Sequence, residues 1–134
     1  MIVVDTNVIV SLFVPSPSTG MAKEAARKDG HWIMPPLWVS EMRNAIVTLH
    51  RTRRLDIAEG LKAMEDAELQ FSTFSVPVIS RDVFEHAAGS GCSAYDCEFV
   101  ALAVLAQTRL ITLDKRLALR FSRVATPLDR FVGA

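Results

Sequence analysis

The chain has 134 residues, half of them hydrophobic, with 15 Lys plus Arg against 15 Asp plus Glu and a formal net charge of zero at pH 7. That length suits one compact domain over residues 1–134, with enough apolar mass for a real core. The charge balance excludes nucleic-acid binding driven by an overall basic excess, the two cysteines exclude a disulfide framework, and no run approaches the ~18 apolar residues of a membrane span.

The chain opens on Ile2, Val3 and Val4, a β-branched run that reads as a strand buried on both faces, as in a parallel sheet. Asp5 follows at once, and a helix is expected from near Asn7. Pro17, Ser18 and Thr19 lead into a helix that stops at Gly30. Trp32 to Met34 is a short strand candidate, closed by Pro35 and Pro36. Trp38, Met42, Ala45, Ile46 and Leu49 then recur at helical spacing. "IAEGLKAMEDAELQ" is a further helix and "RDVFEHAAG" a short one, with a weak strand candidate at Phe74 to Val78 between them. Ser93 opens a strongly apolar helix through Phe99, Val100, Leu102, Ala103 and Ala106. Leu110 to Leu113 is a second firm strand, ended by Asp114 and the helical "KRLAL", and a weak strand lies near Val124. Strands alternating with helices predict a three-layer α/β/α sandwich around a central parallel sheet of about five strands.

On this frame Asp5 and Asp114 each end a strand, at the sheet edge where open α/β folds bind ligands. Glu41 borders the apolar face of its helix, three residues after Trp38, and Asp96 lies in the first turn of the helix begun by Ser93. Four carboxylates from four elements can thus point into one acidic pocket. Their mutual repulsion calls for a cation, and hard divalent ions such as Mg²⁺ or Mn²⁺ take oxygen ligands of this kind. Such a site supports hydrolysis of a phosphodiester. Asn7, Thr112 and Ser93 lie where they would orient the acids or hold water.

Each acid also has an ordinary structural reading. Asp5 and Asp114 are favoured N-cap residues, Ser93-x-x-Asp96 matches a capping box, and Glu41 could pair in solvent with Arg43 or Arg51. Singly the signals are weak; their joint placement is what points to a site.

The pattern resembles the PIN domain, and within it the VapC-type toxin ribonucleases of prokaryotic toxin–antitoxin pairs. The resemblance lies in "VVDTNVIV", "VSEMRNAI", "SAYDCEFVALA" and "LITLDKRL", in that order, and spans nearly the whole chain. It implies a metal-dependent endoribonuclease, with the family's acids at Asp5, Glu41, Asp96 and Asp114, its small polar residue at Asn7 and its Ser/Thr at Thr112. It also implies a homodimer and a cognate antitoxin protein that blocks the acidic pocket. One departure is Cys97, where the family often has alanine; it is read as a small packing residue. Glu98 adds a carboxylate two positions from Asp96 and is expected on a different, more exposed face, at most at the pocket rim.

An acidic pocket repels RNA, so cations must flank it. Arg51, Arg53 and Arg54 are one candidate set, and Lys115, Arg116, Arg120, Arg123 and Arg130 in the C-terminal stretch are another. His31, His50 and His86 lie outside the acidic motifs. The N-terminus carries no basic segment ahead of its apolar run, so a reducing cytoplasm is the expected setting. Two other readings stand beside the nuclease. One is a non-catalytic PIN-like module that binds RNA or protein. The other is a different metal-dependent phosphohydrolase, although Asn7 stands where phosphatases with a nucleophilic aspartate carry their second acid.

Overall fold

A computed structural model describes residues 1–133. Four parallel strands form one sheet in the order β2-β1-β3-β4: β1 (Ile2–Val4), β2 (Trp32–Ile33), β3 (Leu110–Thr112) and β4 (Ala125–Pro127). Every residue of the first three strands is buried, which is what their unbroken apolar runs require. β1 lies between β2 and β3, with Val3 paired to Ile33 on one side and to Leu110 on the other. The chain therefore leaves β1 toward one side and later returns to its other side, and the switch point lies between the ends of β1 and β3.

Helices flank the sheet. α1 (Thr6–Phe13) packs with α2 (Thr19–Lys28), α3 (Trp38–Arg51) and α4 (Ile57–Phe71). α6 (Ala94–Leu105) covers β1 and β3 and carries α5 (Ser80–Ser90) on its outer side. α7 (Lys115–Arg120) and α8 (Leu128–Gly133) close the β4 edge. α6 is apolar nearly all round and accordingly buries Cys97 and every residue from Phe99 to Ala103. Phe71 stacks on Trp32 at 5.4 Å between ring centroids and meets Trp38 and Phe13 edge-on, so one aromatic cluster ties β2, α1, α3 and α4 together.

The sheet has four strands among the described residues, one fewer than the pattern suggested. The segment from Phe74 to Val78 makes a single parallel bridge, Met34 to Ser75, and its start is a 3-10 turn over Ser72–Phe74. The Val76 amide donates to the Met34 carbonyl at 2.8 Å, but Pro77 has no amide and Pro35 none on the facing side, so the ladder stops after one step. The six-residue α8 was not foreseen. The helices otherwise fall where the apolar spacing put them, and no helix among the described residues is long and apolar enough to cross a membrane.

Candidate active site

β1 ends at Val4, so Asp5 emerges at the carboxyl edge of the sheet beside β3, its amide still donating to the Ile111 carbonyl at 2.9 Å. Asp5 is 6% exposed. Its Oδ1 accepts from the Thr6 amide at 2.8 Å, which makes it the N-cap of α1. Its Oδ2 accepts from the Thr112 hydroxyl at 2.7 Å and from Asn7 Nδ2 at 3.3 Å. Asn7 also ties the two strand ends together, since its Oδ1 accepts from the Leu113 amide at 3.1 Å.

Thr112 is fully buried and serves both acids of the edge. While its hydroxyl donates to Asp5, it accepts from the Asp114 amide at 2.9 Å. Asp114 in turn caps α7, its Oδ1 accepting from the Leu117 amide at 3.0 Å. Ser93 caps α6 by accepting from the Asp96 amide at 3.0 Å. The N-cap readings of Asp5 and Asp114 therefore hold, and of the Ser93-x-x-Asp96 capping box the bond to the Ser93 hydroxyl is present; these capping bonds are part of what aims the acids.

Glu41 sits in the first turn of α3, half-buried, and its Oε1 accepts from the Thr6 hydroxyl at 2.7 Å. Thr6 thereby links Glu41 to the backbone beside Asp5. It was not singled out from the sequence; its one visible signal is a hydroxyl next to Asp5 in an apolar run. Glu41 is in no ion pair with Arg43 or Arg51 among the described residues.

The acids influence one another electrostatically. Burial pushes the Asp5 carboxyl from 3.8 up to about 7; the charges of Glu41 and Asp96 push the same way, while the Thr112 and Thr6 hydrogen bonds hold it back. Burial raises Glu41 as well, against the pull of the Thr6 hydrogen bond and with help from Asp96 and Glu98. Burial and then Asp114 raise Asp96. Asp5, Glu41 and Asp96 thus each feel at least one other acid. Glu98 is half-buried and acts on Glu41, so it belongs to the pocket rim rather than to the open surface.

No Lys or Arg pairs with any of the four acids among the described residues. An all-oxygen donor set, mutual repulsion and no basic partner fit a hard divalent cation. Among the described residues no group of three or more His, Cys, Asp or Glu side chains stands close enough together to hold a metal ion. Asp96 and Asp114 line one cavity, of about 570 Å³, while Asp5 and Glu41 are not among its lining residues; an ion there would have to keep several waters.

The flanking cations divide. Arg51, Arg53 and Arg54 are exposed at the carboxyl end of α3, and Arg51 lies roughly 15 Å along the axis from Glu41 at 1.5 Å per residue. Arg116 instead lines a cavity of about 570 Å³ together with Asp96 and Asp114. Lys115 is exposed, 3.9 Å from Asp129. Cys97 is buried against Val83 and Ala101, a packing residue as its size suggests. His31, His50 and His86 make ring or carbonyl contacts away from the acids.

Comparison with known proteins agrees with this geometry. The family model described as PIN domain matches residues 2–126. Ribonuclease VapC3 of Pyrobaculum aerophilum is 29% identical over 129 residues, covering 94% of this chain and 98% of that one. The crystal structure of PAE2754 from Pyrobaculum aerophilum superposes with a TM-score of 0.76 over 98% of this chain and 92% of that chain, at 18% identity, a likeness of fold.

Proposed function

We propose, from the premise that this chain belongs to the PIN domain family, that it is a divalent-metal-dependent endoribonuclease, the toxin of a toxin–antitoxin pair. The observation that carries the reading is Asp5. It is a buried carboxylate with other acids pressing on it and no basic partner, at the carboxyl edge between two parallel strands.

In this reading Asp5, Asp96 and Asp114 hold one or two Mg²⁺ or Mn²⁺ ions, and Glu41 completes the ligand set or holds a water. When bound, the ion supplies a Lewis acid for the phosphate and lowers the pKa of water. The rest falls to the protein. Thr112 fixes Asp5 and the start of α7 together, so the two strand-end carboxylates keep one spacing. Thr6 holds Glu41, and Ser93 holds the first turn that carries Asp96. The hydrogen bonds from Thr112 and Thr6 favour ionised acids, the form a metal requires.

An antitoxin protein covering the acidic pocket, a homodimeric assembly and a cytoplasmic setting belong to the same reading; free Cys92 and Cys97 suit a reducing compartment. A second reading, a non-catalytic RNA- or protein-binding module, has one observation in its favour: Asp5 and Asp114 both cap helices and so have a folding role.

Calorimetric Mn²⁺ titration of wild type and Asp96→Asn, beside cleavage of total RNA with and without EDTA, separates the two. The nuclease reading expects metal binding and EDTA-sensitive cleavage by wild type, and neither in the variant. A wild-type protein that binds no Mn²⁺ and leaves RNA intact supports the module.

A further inference from the structure

α7 separates two cavities, and its residues line both. One, of about 570 Å³, opens from Asp96 and Asp114 past Arg116 and Arg120. The other, of about 440 Å³, lies toward β4 and α8 and is bordered by Lys115, Ser122, Asp129 and Arg130. Leu119 belongs to both and is 79% exposed, an apolar side chain held out between two charged hollows.

The arginines along this path differ in their engagement. Arg120 donates to the carbonyls of Ser90 and Gly89, so its guanidinium is committed to the fold. The side chains of Arg116 and Arg130 have no hydrogen bond or ion pair among the described residues. Asp129, the one carboxylate of the second cavity, is faced by Lys115 at 3.9 Å. An uncommitted guanidinium on either side of an exposed apolar residue matches the chemistry of a single nucleic-acid strand, in which phosphates alternate with flat, largely apolar bases.

We infer that the two cavities form one track for single-stranded RNA across α7, with Arg116 and Arg130 each holding a phosphate and Leu119 supporting the base between them. The track rests on the ribonuclease reading. It adds the path by which the strand leaves the acidic pocket, toward β4 and α8 rather than along α3. Arg116 and Arg130 are positioning residues in this scheme, acting on nucleotides beside the one that is cut.

The test is fluorescence anisotropy of a labelled single-stranded RNA in EDTA across a range of NaCl, with KM and kcat for cleavage of the same RNA in Mn²⁺. Arg116→Ala and Arg130→Ala should each weaken binding about tenfold, the scale of one charge-assisted contact. Each should also reduce the slope of log K against log salt by about 0.7, one phosphate's share for a single strand. KM should rise with kcat little changed, and Arg116→Lys should restore the slope. Leu119→Ser should weaken binding several-fold with the slope intact. Lys62→Ala on α4 removes the same charge elsewhere and should leave both at wild-type values. Wild-type slopes in both arginine variants overturn the track while leaving the nuclease standing. A Leu119→Ser protein with a changed mass by light scattering and unchanged RNA binding makes the surface a protein contact and overturns it too. A wild-type protein that neither binds nor cleaves RNA takes down the ribonuclease reading and the track with it.

Discussion

Thr112 and Asp5 lie 107 positions apart in the chain, yet the Thr112 hydroxyl donates to Asp5 Oδ2 at 2.7 Å across the junction of β3 and β1. The Thr112 hydroxyl oxygen itself accepts from the Asp114 amide, so one buried side chain serves both strand-end acids. A threonine has one donor and two acceptor sites, and here the donor and at least one acceptor are used.

Thr112→Val tests this junction, because it keeps the shape and removes only the hydroxyl. Asp5 loses its strongest stabilising hydrogen bond and the Asp114 amide loses its acceptor. The expected cost is about 1–3 kcal/mol, the desolvation penalty of a buried polar group left unpaired. Urea unfolding at pH 7 with EDTA measures it; a midpoint equal to wild type would mean that the strand ends hold their register without this bond.

Asp5 should make the metal-free protein pH-sensitive. Its folded pKa of about 7 lies above the ordinary 3.8, so the folded state binds the proton more tightly than the unfolded chain. Stability from this group is fully present below about pH 4 and is lost as pH rises through 7. The rise corresponds to at most about 4 kcal/mol at ~1.4 kcal/mol per pH unit. The raised pKa values of Glu41 and Asp96 act in the same direction. Asp5→Asn keeps an N-cap side chain and removes the charge. Unfolding in EDTA from pH 4 to pH 8 should therefore show a smaller fall in the variant, and a variant more stable than wild type at pH 8.

Divalent ions should reverse that penalty. An ion that binds only the folded, ionised pocket raises the melting temperature, and protons compete with it for the same oxygens. Mn²⁺ is expected to stabilise wild type at pH 8, to lose most of that effect by pH 5, and to do little for Asp96→Asn at either pH. Thermal melts with Mn²⁺ and with EDTA measure this. A shift of equal size in Asp96→Asn would place the ion elsewhere.

The parts of this protein that were readable in advance are those whose signal is local. Val3, Val4 and Ile111 are buried on both faces of a sheet, so their strands appear as uninterrupted apolar runs. Asp5 and Asp114 stand out because a carboxylate ends each run. Phe74 to Val78 carries the same residue types but not the consequence. Whether an extended segment pairs depends on its neighbour, and prolines on both sides limit it to one bridge. Thr6 was invisible for a related reason. Its importance is a hydrogen bond to Glu41, 35 positions away, and nothing in a threonine announces a partner on another helix. Glu98 looked like solvent because helical spacing turns it from Asp96; half-buried on α6, its charge acts on Glu41 all the same.

Thr6 therefore carries the last prediction. Its hydroxyl donates to Glu41 Oε1 at 2.7 Å and holds the Glu41 pKa down against burial and the charges of Asp96 and Glu98. Without the hydroxyl those influences are unopposed, and Glu41 stays protonated to higher pH. If ionised Glu41 is needed for cleavage, the acidic limb of the pH–activity profile should move to higher pH in Thr6→Val, with the loss of activity greatest at low pH. Thr6→Ser retains the donor and should restore the wild-type limb. The Thr6 amide that donates to Asp5 is unchanged in both variants, so a loss that is uniform across pH would instead point to altered packing of α1. Cleavage rates of one RNA from pH 5 to pH 9 in all three proteins, at saturating Mn²⁺, distinguish a shifted limb from a lowered plateau. A limb at the same pH in all three would separate Glu41 ionisation from the reaction.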